Sequence, residues 1–478
     1  MRDILKNYIN GHWENGVTTG TSENPSDLSA PVAEYARADG RQAEAAIVAA
    51  SEAAASWALA TPQRRADALD MVGSELLARK DELGALLARE EGKTLPEAVG
   101  EVARAGQIFK FFAGEALRIP GEKRASVRPD IEVDVTREPI GVVGVIAPWN
   151  FPFAIPAWKI APALAYGNAV VFKPAELVPA CGWALAEILS RAGLPAGVFN
   201  LVNGSGRQVG RTLVESALVD GITFTGSEAT GTQVRQQAMG RGAKVQLEMG
   251  GKNPLVVLAD ADMDRAVDCA LQGAFFSTGQ RCTASSRLIV EAKVHDDFVG
   301  RLRKRMGQLQ VGHAEARGTD IGPVASSAQL DQNLAYLEIG RAEGAELVCG
   351  GERLDRPTRG HFMRPALLLA APAHRVAREE IFGPVAAVLR ADGYEHALAL
   401  ANDTPYGLCA GICTTALKHA SHFRRHAQAG MVMVNLPTAG VDYHVPFGGR
   451  KASSYGPREQ GRHAVEFYTT VKTAYTYA

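Results

Sequence analysis

Two short stretches carry the distinctive chemistry of this chain, Glu248-Met249-Gly250-Gly251-Lys252-Asn253-Pro254 and Gly279-Gln280-Arg281-Cys282-Thr283. They place a carboxylate and a thiol in glycine-rich, ordered contexts. A thiolate adds to a carbonyl carbon, and a nearby carboxylate can then activate water. The pair therefore favours covalent catalysis by Cys282, with Arg281 as a neighbouring cation that would promote the thiolate. The other cysteines are typical of small buried hydrophobic residues, namely Cys181, Cys269, Cys349, Cys409 and Cys413.

Length and composition indicate an intracellular enzyme. The 478 residues exceed what one hydrophobic core usually supports, so we expect at least two domains. With 51 basic and 52 acidic residues and no basic cluster, the chain favours a small-molecule partner and no nucleic acid. Residues 1–6 are too polar for a secretory signal, and no segment reaches the roughly 18 apolar residues that span a bilayer, so we expect a cytoplasmic protein without membrane contact. The cysteine spacing predicts no metal site.

Periodicity predicts helices first and an α/β sheet afterwards. Asn10-Gly11 predicts the turn of a short hairpin over residues 8–13. From Arg41 to Ala113 apolar residues recur at helical spacing and predict two or three long helices. Strand-like segments follow at residues 131–135 and 141–146. Hydrophobic runs at residues 169–172 and 221–224 then alternate with helical stretches, which predicts a parallel sheet covered by helices.

Four motifs follow these strands, where open parallel sheets bind ligands. Each one has a plainer structural explanation as well as a functional one. Lys173-Pro174-Ala175-Glu176 suits a cofactor ribose or a solvated loop, and Gly204-Ser205-Gly206 with Gly210 permits close backbone approach but departs from the dinucleotide fingerprint. Phe224-Thr225-Gly226-Ser227 suits a pyrophosphate or a helix cap. Pro148-Trp149-Asn150-Phe151-Pro152 places a stiffened amide where it could donate to an oxyanion, or anchors a buried loop.

In this order the motifs resemble the aldehyde dehydrogenase superfamily over nearly the whole chain, as do Glu379-Glu380-Ile381-Phe382-Gly383-Pro384 and Pro446-Phe447-Gly448-Gly449. The resemblance implies a Rossmann-like cofactor domain (1–122 and 143–249), an α/β catalytic domain (250–462) and a small β oligomerisation extension (123–142 and 463–478). The segment Glu466–Val471 is rich in aromatic and branched residues, as a strand added to a partner's sheet would be. A homodimer or homotetramer is therefore expected.

The resemblance also implies residue roles. Cys282 would be the nucleophile, Asn150 the oxyanion donor and Glu248 the general base, while Lys159 would relay protons or form a structural ion pair. The positions that match the family's cofactor residues are Ile146, Pro148, Trp149, Lys173, Glu176, Gly206, Gly210, Gly226, Ser227, Glu380 and Phe382. A carboxylate at Glu176 would repel a 2′-phosphate, which favours NAD, although Lys173 leaves NADP open.

The substrate is indicated by the residues around the nucleophile and by a late loop. Residues 276–287, 441–451 and 454–459 resemble the subgroup that oxidises 2-oxoglutaric semialdehyde (2,5-dioxopentanoate). Arg281, helped by Ser285, would anchor the distal carboxylate of this aldehyde, unless the arginine turns away into a structural ion pair. Phe151, Thr283 and Phe447 would wall the aldehyde channel.

Three alternatives remain at this stage. Succinic semialdehyde or a broad range of aldehydes could be the substrate, although Ala157-Trp158-Lys159 lacks the arginine that many succinic semialdehyde dehydrogenases carry before the lysine. An enzyme that passes the thioester to coenzyme A would typically lack Glu248. A catalytically silent structural or binding protein would not need Cys282, Glu248 and Asn150 together.

Overall fold

A hairpin and a layer of helices open the chain in this computed structural model, which describes residues 4–477. Asn10 and Gly11 have φ of 50° and 83°, and the predicted hairpin is confirmed. The polar residues Met1 to Asp3, part of the segment compared above with a secretory signal, lie outside the described range. The first elements are β1 (Asn7–Ile9), β2 (His12–Glu14), β3 (Thr18–Ser22), β4 (Ala33–Arg37), α1 (Gly40–Ala58), α2 (Pro62–Ala78), α3 (Lys80–Glu91) and α4 (Leu95–Ala116).

The helical region holds four helices, not the two or three predicted. Thr61 caps α2 by accepting a hydrogen bond from the Arg64 N–H, and Gly92 ends α3 with φ of 96°. Thr94 and Glu97 form the capping box of α4. The break that periodicity missed lies between α2 and α3, where Arg79 alone separates them and no glycine or proline marks the turn.

The rest of the chain alternates strands and helices. The remaining elements are, in order, β5 (Glu122–Ala125), β6 (Ile131–Pro139), β7 (Val142–Ile146), α5 (Ala154–Ala165), β8 (Ala169–Lys173), α6 (Pro179–Ser190), β9 (Phe199–Leu201), α7 (Arg211–Glu215), β10 (Gly221–Thr225), α8 (Glu228–Gly240), β11 (Lys244–Glu248), β12 (Asn253–Val257), α9 (Met263–Phe275), β13 (Ser285–Glu291), α10 (His295–Met306), α11 (Ser327–Ala342), β14 (Glu346–Cys349), β15 (Ala366–Leu369), α12 (Arg375–Arg378), β16 (Val385–Ala391), α13 (Tyr394–Asn402), β17 (Tyr406–Gly407), β18 (Cys409–Cys413), α14 (Leu417–His426), β19 (Met431–Val434), β20 (Arg450–Lys451), β21 (Ser454–Tyr455), α15 (Val465–Tyr468) and β22 (Thr469–Tyr477).

An eight-stranded sheet has the order β2-β1-β9-β8-β7-β10-β11-β21. The central strands β9, β8, β7, β10 and β11 run parallel, as the hydrophobic runs predicted. At one edge, β21 pairs antiparallel with β11 and sets Ser454 opposite Glu248. β21 lies within residues 250–462, which the family resemblance assigns to the catalytic domain. It nevertheless completes the sheet that the resemblance assigns to the cofactor domain.

A seven-stranded sheet has the order β14-β15-β16-β13-β12-β18-β19 and is parallel except for β14 at its edge. The chain crosses from the first sheet to the second between Glu248 and Asn253, over four residues. The end of β11 and the start of β12 therefore lie close together, and the candidate active site lies around this crossing.

A separate three-stranded sheet joins distant segments in the order β22-β6-β5. β22 pairs with β6 over nine residues, from Thr469 opposite Pro139 to Tyr477 opposite Ile131. Beyond Thr469 every residue of β22 is exposed. Within residues 4–477 no helix combines the length and apolar character needed to cross a bilayer.

Candidate active site

The predicted site residues gather at one edge of the first sheet. Ile146, Lys173 and Glu248 are the last residues of β7, β8 and β11. Because parallel strands end at the same edge, these side chains and the loops that follow them share one region of the molecule.

Cys282 lies in a tight loop after a 3₁₀ turn over Phe276–Gly279. The side chain of Asn253 holds this loop by donating hydrogen bonds to the carbonyl oxygens of Cys282 (2.8 Å) and Ala284 (3.0 Å). Burial, and then the charge of Glu248, raise the pKa of the Cys282 thiol to about 12. The resting state is therefore a neutral thiol.

The expected help from Arg281 is not the dominant effect on this thiol. The Arg281 guanidinium lies 3.0 Å from the carboxylate of Glu97 and also donates to Ser277 Oγ at 2.7 Å. Its charge is thus matched locally, and the burial of Cys282 outweighs its attraction for the thiolate. Arg281 still attracts the thiolate of Cys282, so its role as a promoter of the thiolate stays a prediction.

Asn150 packs directly against the loop that carries Cys282. Its amide Nδ2 donates to the Gln280 carbonyl at 2.9 Å, and the side chain is 3 % exposed. The ammonium of Lys93 in turn donates to the Asn150 carbonyl at 2.6 Å. One of the two amide N–H groups is used in this way, which leaves the other for an oxygen atom bound beside Cys282.

Glu248 belongs to a buried network at the edge of the first sheet. Its Oε2 accepts a hydrogen bond from Ser454 Oγ at 2.6 Å. Burial, followed by repulsion from Glu459, raises the pKa of Glu248 well above its usual range. A carboxylate with a raised pKa is a stronger base than an exposed one.

Lys159 forms a buried ion pair, which was one of the two alternatives for it. Its ammonium contacts the carboxylate of Glu459 and donates to Thr223 Oγ1 at 2.8 Å. Lys159 and Glu459 are 0 % and 1 % exposed, so the pair ties α5 to β10 and to the segment after β21. Glu459 in turn acts on the charge of Glu248.

A cleft of about 290 Å³ opens on one side of Cys282. Glu380 is fixed there because its Oε1 accepts the Gly251 N–H at 2.9 Å, and burial raises its pKa to about 7. Phe382 and Trp149 meet edge to face at 5.4 Å. The predicted cofactor residues that line the cleft are Pro148, Trp149, Gly226, Ser227, Glu380 and Phe382.

The other predicted cofactor residues lie outside this cleft along the same sheet edge. Ile146 is opposite Lys173 in the register of β7 and β8, and Gly210 faces the Lys173 side chain. Burial lowers the pKa of Lys173 to about 8. Gly206 begins a π-helical turn, and Glu176 lies 3.9 Å from Arg37 on the surface. Ser227 also caps α8, which confirms the alternative interpretation of residues 224–227 as a helix cap.

A second cavity, of about 230 Å³, opens on Cys282 and is lined by four of the predicted substrate residues. They are Phe151, Arg281, Thr283 and Phe447. Ser285 is not among them. It is the first residue of β13, is fully buried, and has its hydroxyl 2.6 Å from Thr438 Oγ1. Its predicted place in the substrate pocket is therefore not supported by its position.

Several residues of this cavity escaped prediction, among them Arg104 and Trp158. Arg104 lies on α4, within a region that the sequence presents as scaffold, and Trp158 precedes Lys159 on α5. Neither belongs to a local motif, because their position in the cavity depends on α4 packing against α5. The described residues hold no cluster of His, Cys, Asp or Glu arranged for a metal ion.

Comparison with known proteins gives one consistent result. A sequence model described as "Aldehyde dehydrogenase family" matches residues 13–474. The chain is 43 % identical to an alpha-ketoglutaric semialdehyde dehydrogenase of Bacillus subtilis, over 98 % of this chain and 97 % of that one. It is 44 % identical to an alpha-ketoglutarate semialdehyde dehydrogenase of Haloferax volcanii, over 99 % of both. A betaine aldehyde dehydrogenase of Staphylococcus aureus, solved in complex with NAD+, has a TM-score of 0.96 and 33 % identity, over 99 % of this chain and 95 % of that one.

Proposed function

Because the chain belongs to the aldehyde dehydrogenase family and has the fold of its solved members, we propose that it oxidises 2-oxoglutaric semialdehyde to 2-oxoglutarate with NAD+. One observation carries the proposal. Cys282 lines both the cleft and the second cavity, so a single sulfur atom can meet a cofactor from one side and an aldehyde from the other. The names of the two semialdehyde dehydrogenases support the choice of substrate.

In this proposal Cys282, Asn150 and Glu248 each have one chemical role. The Cys282 thiol loses its proton to water, its sulfur adds to the aldehyde carbon, and the Asn150 amide donates to the oxyanion that forms. NAD+, when bound, accepts the hydride that leaves this carbon. The carbon is then held as a thioester on Cys282. Glu248 takes a proton from water, the water oxygen displaces the sulfur, and the carboxylic acid is released.

The residues of the cleft fit a dinucleotide. Thr225 Oγ1 is buried in the cleft wall without a hydrogen-bond partner, and the amino end of α8 follows at Ser227, where a helix favours negative charge. Glu380 would hold the nicotinamide ribose. Lys173 and Glu176 would hold the adenine ribose, where the carboxylate favours NAD+ over NADP+. The positive charge of Arg37 beside Glu176 would partly offset the repulsion between Glu176 and a 2′-phosphate, so use of NADP+ is retained as the alternative.

The assembly is also part of the proposal. We infer a cytoplasmic homodimer or homotetramer with three domains, each built around one of the larger sheets. The open edge of β22 supports this inference, because an unpaired strand edge is normally covered in a stable protein.

Substitution of the nucleophile tests the proposal. We expect Cys282→Ala to reduce NADH formation from 2-oxoglutaric semialdehyde at least about a thousandfold, because no other group supplies the thioester. Cys349→Ala is the matched control, since Cys349 is a half-buried cysteine on β14 outside both cavities. Comparable rates for Cys282→Ala and the wild type would overturn the mechanism. Equal kcat/KM for 2-oxoglutaric and succinic semialdehydes would contradict the assignment of 2-oxoglutaric semialdehyde as the preferred substrate.

A further inference from the structure

The cavity that holds Cys282 and Phe447 carries more positive than negative charge. Its lining includes three cations, Lys93, Arg104 and Arg281, against two carboxylates, Glu97 and Glu101. Lys93 lies 2.7 Å from Glu101, and Arg281 lies 3.0 Å from Glu97. Both carboxylates therefore have a closer partner than Arg104, and Lys93 also lies 3.9 Å from the buried Glu91.

In the described part of the chain, no carboxylate forms a close ion pair with Arg104, although Glu101 and Asp442 attract its guanidinium from a greater distance. Among residues 4–477 no carboxylate oxygen lies within 4.0 Å of its guanidinium. Its Nη2 donates to the neutral side-chain oxygen of Gln460 at 3.3 Å, and its Nε is buried without an acceptor. The guanidinium lies 5.8 Å from the centre of the Trp158 ring. Burial lowers the pKa of Arg104, but an arginine stays charged in proteins.

Other donors around Arg104 also lack acceptors. The indole N–H of Trp158 and the Nε2 amide of Gln460 are buried and unpartnered, as is Nε of Arg281. Trp158 and Arg281 line the cavity, and Gln460 contacts Arg104. Buried donors without partners are unfavourable, so these surroundings favour a ligand rich in acceptor oxygens. A carboxylate with an adjacent 2-oxo group is such a ligand.

We propose that Arg104, rather than Arg281, binds the distal carboxylate of the aldehyde substrate. The inference rests on the proposed function, because it takes Cys282 as the point where the aldehyde reacts. Cys282 lines the same cavity and acts electrostatically on Arg104, so the two ends of a short substrate chain have their counterparts in one space. Arg281 would have to give up Glu97 before it could serve the same purpose.

The proposal also accounts for charge selection. An aldehyde with a distal carboxylate would neutralise Arg104, whereas an aldehyde with a quaternary ammonium group would add a second unmatched cation to a buried cavity. Like charges in such a place disfavour binding. The cavity is therefore selective for anionic aldehydes.

Paired substitutions test this assignment. Arg104→Gln and Arg281→Gln are compared with Arg64→Gln, a change of an exposed arginine on α2 outside the cavity. The readout is the ratio of kcat/KM for 2-oxoglutaric semialdehyde to kcat/KM for pentanal, an uncharged aldehyde. We expect Arg104→Gln to lower this ratio roughly 30-fold or more, mainly through KM for the charged substrate. Arg281→Gln should change the ratio less than about threefold.

Two outcomes would overturn the assignment. One is a larger fall in the ratio for Arg281→Gln than for Arg104→Gln. The other is an equal loss with both aldehydes in a folded Arg104→Gln protein, which indicates a structural role. If Arg104→Gln does not fold, competitive inhibition of the wild type decides: glutarate should inhibit strongly and pentanamide weakly, and equal inhibition would overturn the subsite.

The same data separate this inference from the proposed function. The wild type could prefer succinic to 2-oxoglutaric semialdehyde while its preference for charged over uncharged aldehydes still depends on Arg104. That result would support the Arg104 subsite and contradict the proposed substrate. If Cys282→Ala remains active, the mechanism falls, whatever the effect of Arg104 on binding.

Discussion

Cys282 and Glu248 oppose each other's ionisation. Glu248 is buried and Cys282 is half-buried, and the carboxylate is the main electrostatic influence that, after desolvation, raises the pKa of the thiol. The residue proposed to hydrolyse the thioester therefore also keeps the free thiol protonated. This coupling gives Glu248 two effects of opposite sign that can be measured separately.

We expect Glu248→Gln to accelerate alkylation of Cys282 by iodoacetamide while it slows release of the acid product. Removing the charge lowers the thiol pKa, whereas the amide cannot accept a proton from water. The first effect is measured as the alkylation rate in a Cys349→Ala background without cofactor. The second is measured as an initial burst of NADH followed by slow turnover. Slower alkylation of the variant would show that Glu248 instead deprotonates the thiol.

The pH dependence of alkylation follows from the same pKa. A value of about 12 means that the thiolate is a small fraction throughout the neutral and mildly alkaline range. Its amount, and with it the rate, should rise about tenfold for each pH unit, with no plateau below about pH 10. Mass spectrometry of the modified peptide would follow the rate, and a plateau near pH 8 would contradict the raised pKa.

At the scale of elements, the turn after β11 fixes the position of Glu380. Gly250 is in contact with the Glu380 side chain, and a methyl group added to Gly250 would overlap that carboxylate. The neighbouring Gly251 N–H donates to the same group. The absence of a side chain at Gly250 thus sets where the carboxylate lies in the cleft.

Gly250→Ala should displace Glu380 and raise KM for NAD+ roughly tenfold or more, because a charge-assisted hydrogen bond is lost. The fold should be retained, since the overlapping atoms are the end of a side chain that can move. Gly240→Ala at the end of α8 is the control, because no heavy atom other than its chain neighbours and local helix backbone lies within 4 Å of the added carbon. Unchanged KM for NAD+ in Gly250→Ala would count against a role for Glu380 in cofactor binding.

Elements defined by local pattern could be predicted from their own residues. Long-range pairings could not, except for the joining of residues 123–142 with 463–478, which only the family resemblance implied. Hydrophobic runs in the sequence predict the parallel strands β7, β8 and β10. The residue types Asn10 and Gly11 predict the hairpin turn. The pairing of β21 with β11 leaves no such trace, since it joins positions about two hundred residues apart. The same holds for the site: Cys282 lies in a recognisable motif, while Arg104 is one polar residue on a helix whose docking decides its role.

At the scale of the whole molecule, β22 is a nine-residue strand that is exposed along nearly all its length. It pairs with β6 on one side only, and Val471, Tyr475 and Tyr477 are 55 %, 62 % and 77 % exposed. An exposed strand of this composition is a place where another chain pairs.

We expect the double change Val471→Glu and Tyr475→Glu to shift the assembly towards monomers, because buried like charges would oppose contact between subunits. Size-exclusion chromatography with light scattering over a range of concentrations measures the shift. Leu59→Glu, at the exposed end of α1, should leave the assembly unchanged. An oligomer that survives the double change would mean that another surface holds the subunits together.

The substrate cavity has a consequence for the order in which the enzyme matures during translation. Its walls come from α4 and α5, from the loop of Cys282, and from residues near Phe447, while Gln460 completes the surroundings of Arg104. Domains generally fold from the amino end as they emerge from the ribosome. The nascent chain therefore carries Cys282 long before the cavity is closed, and turnover by the proposed mechanism would wait until residues beyond 460 have emerged.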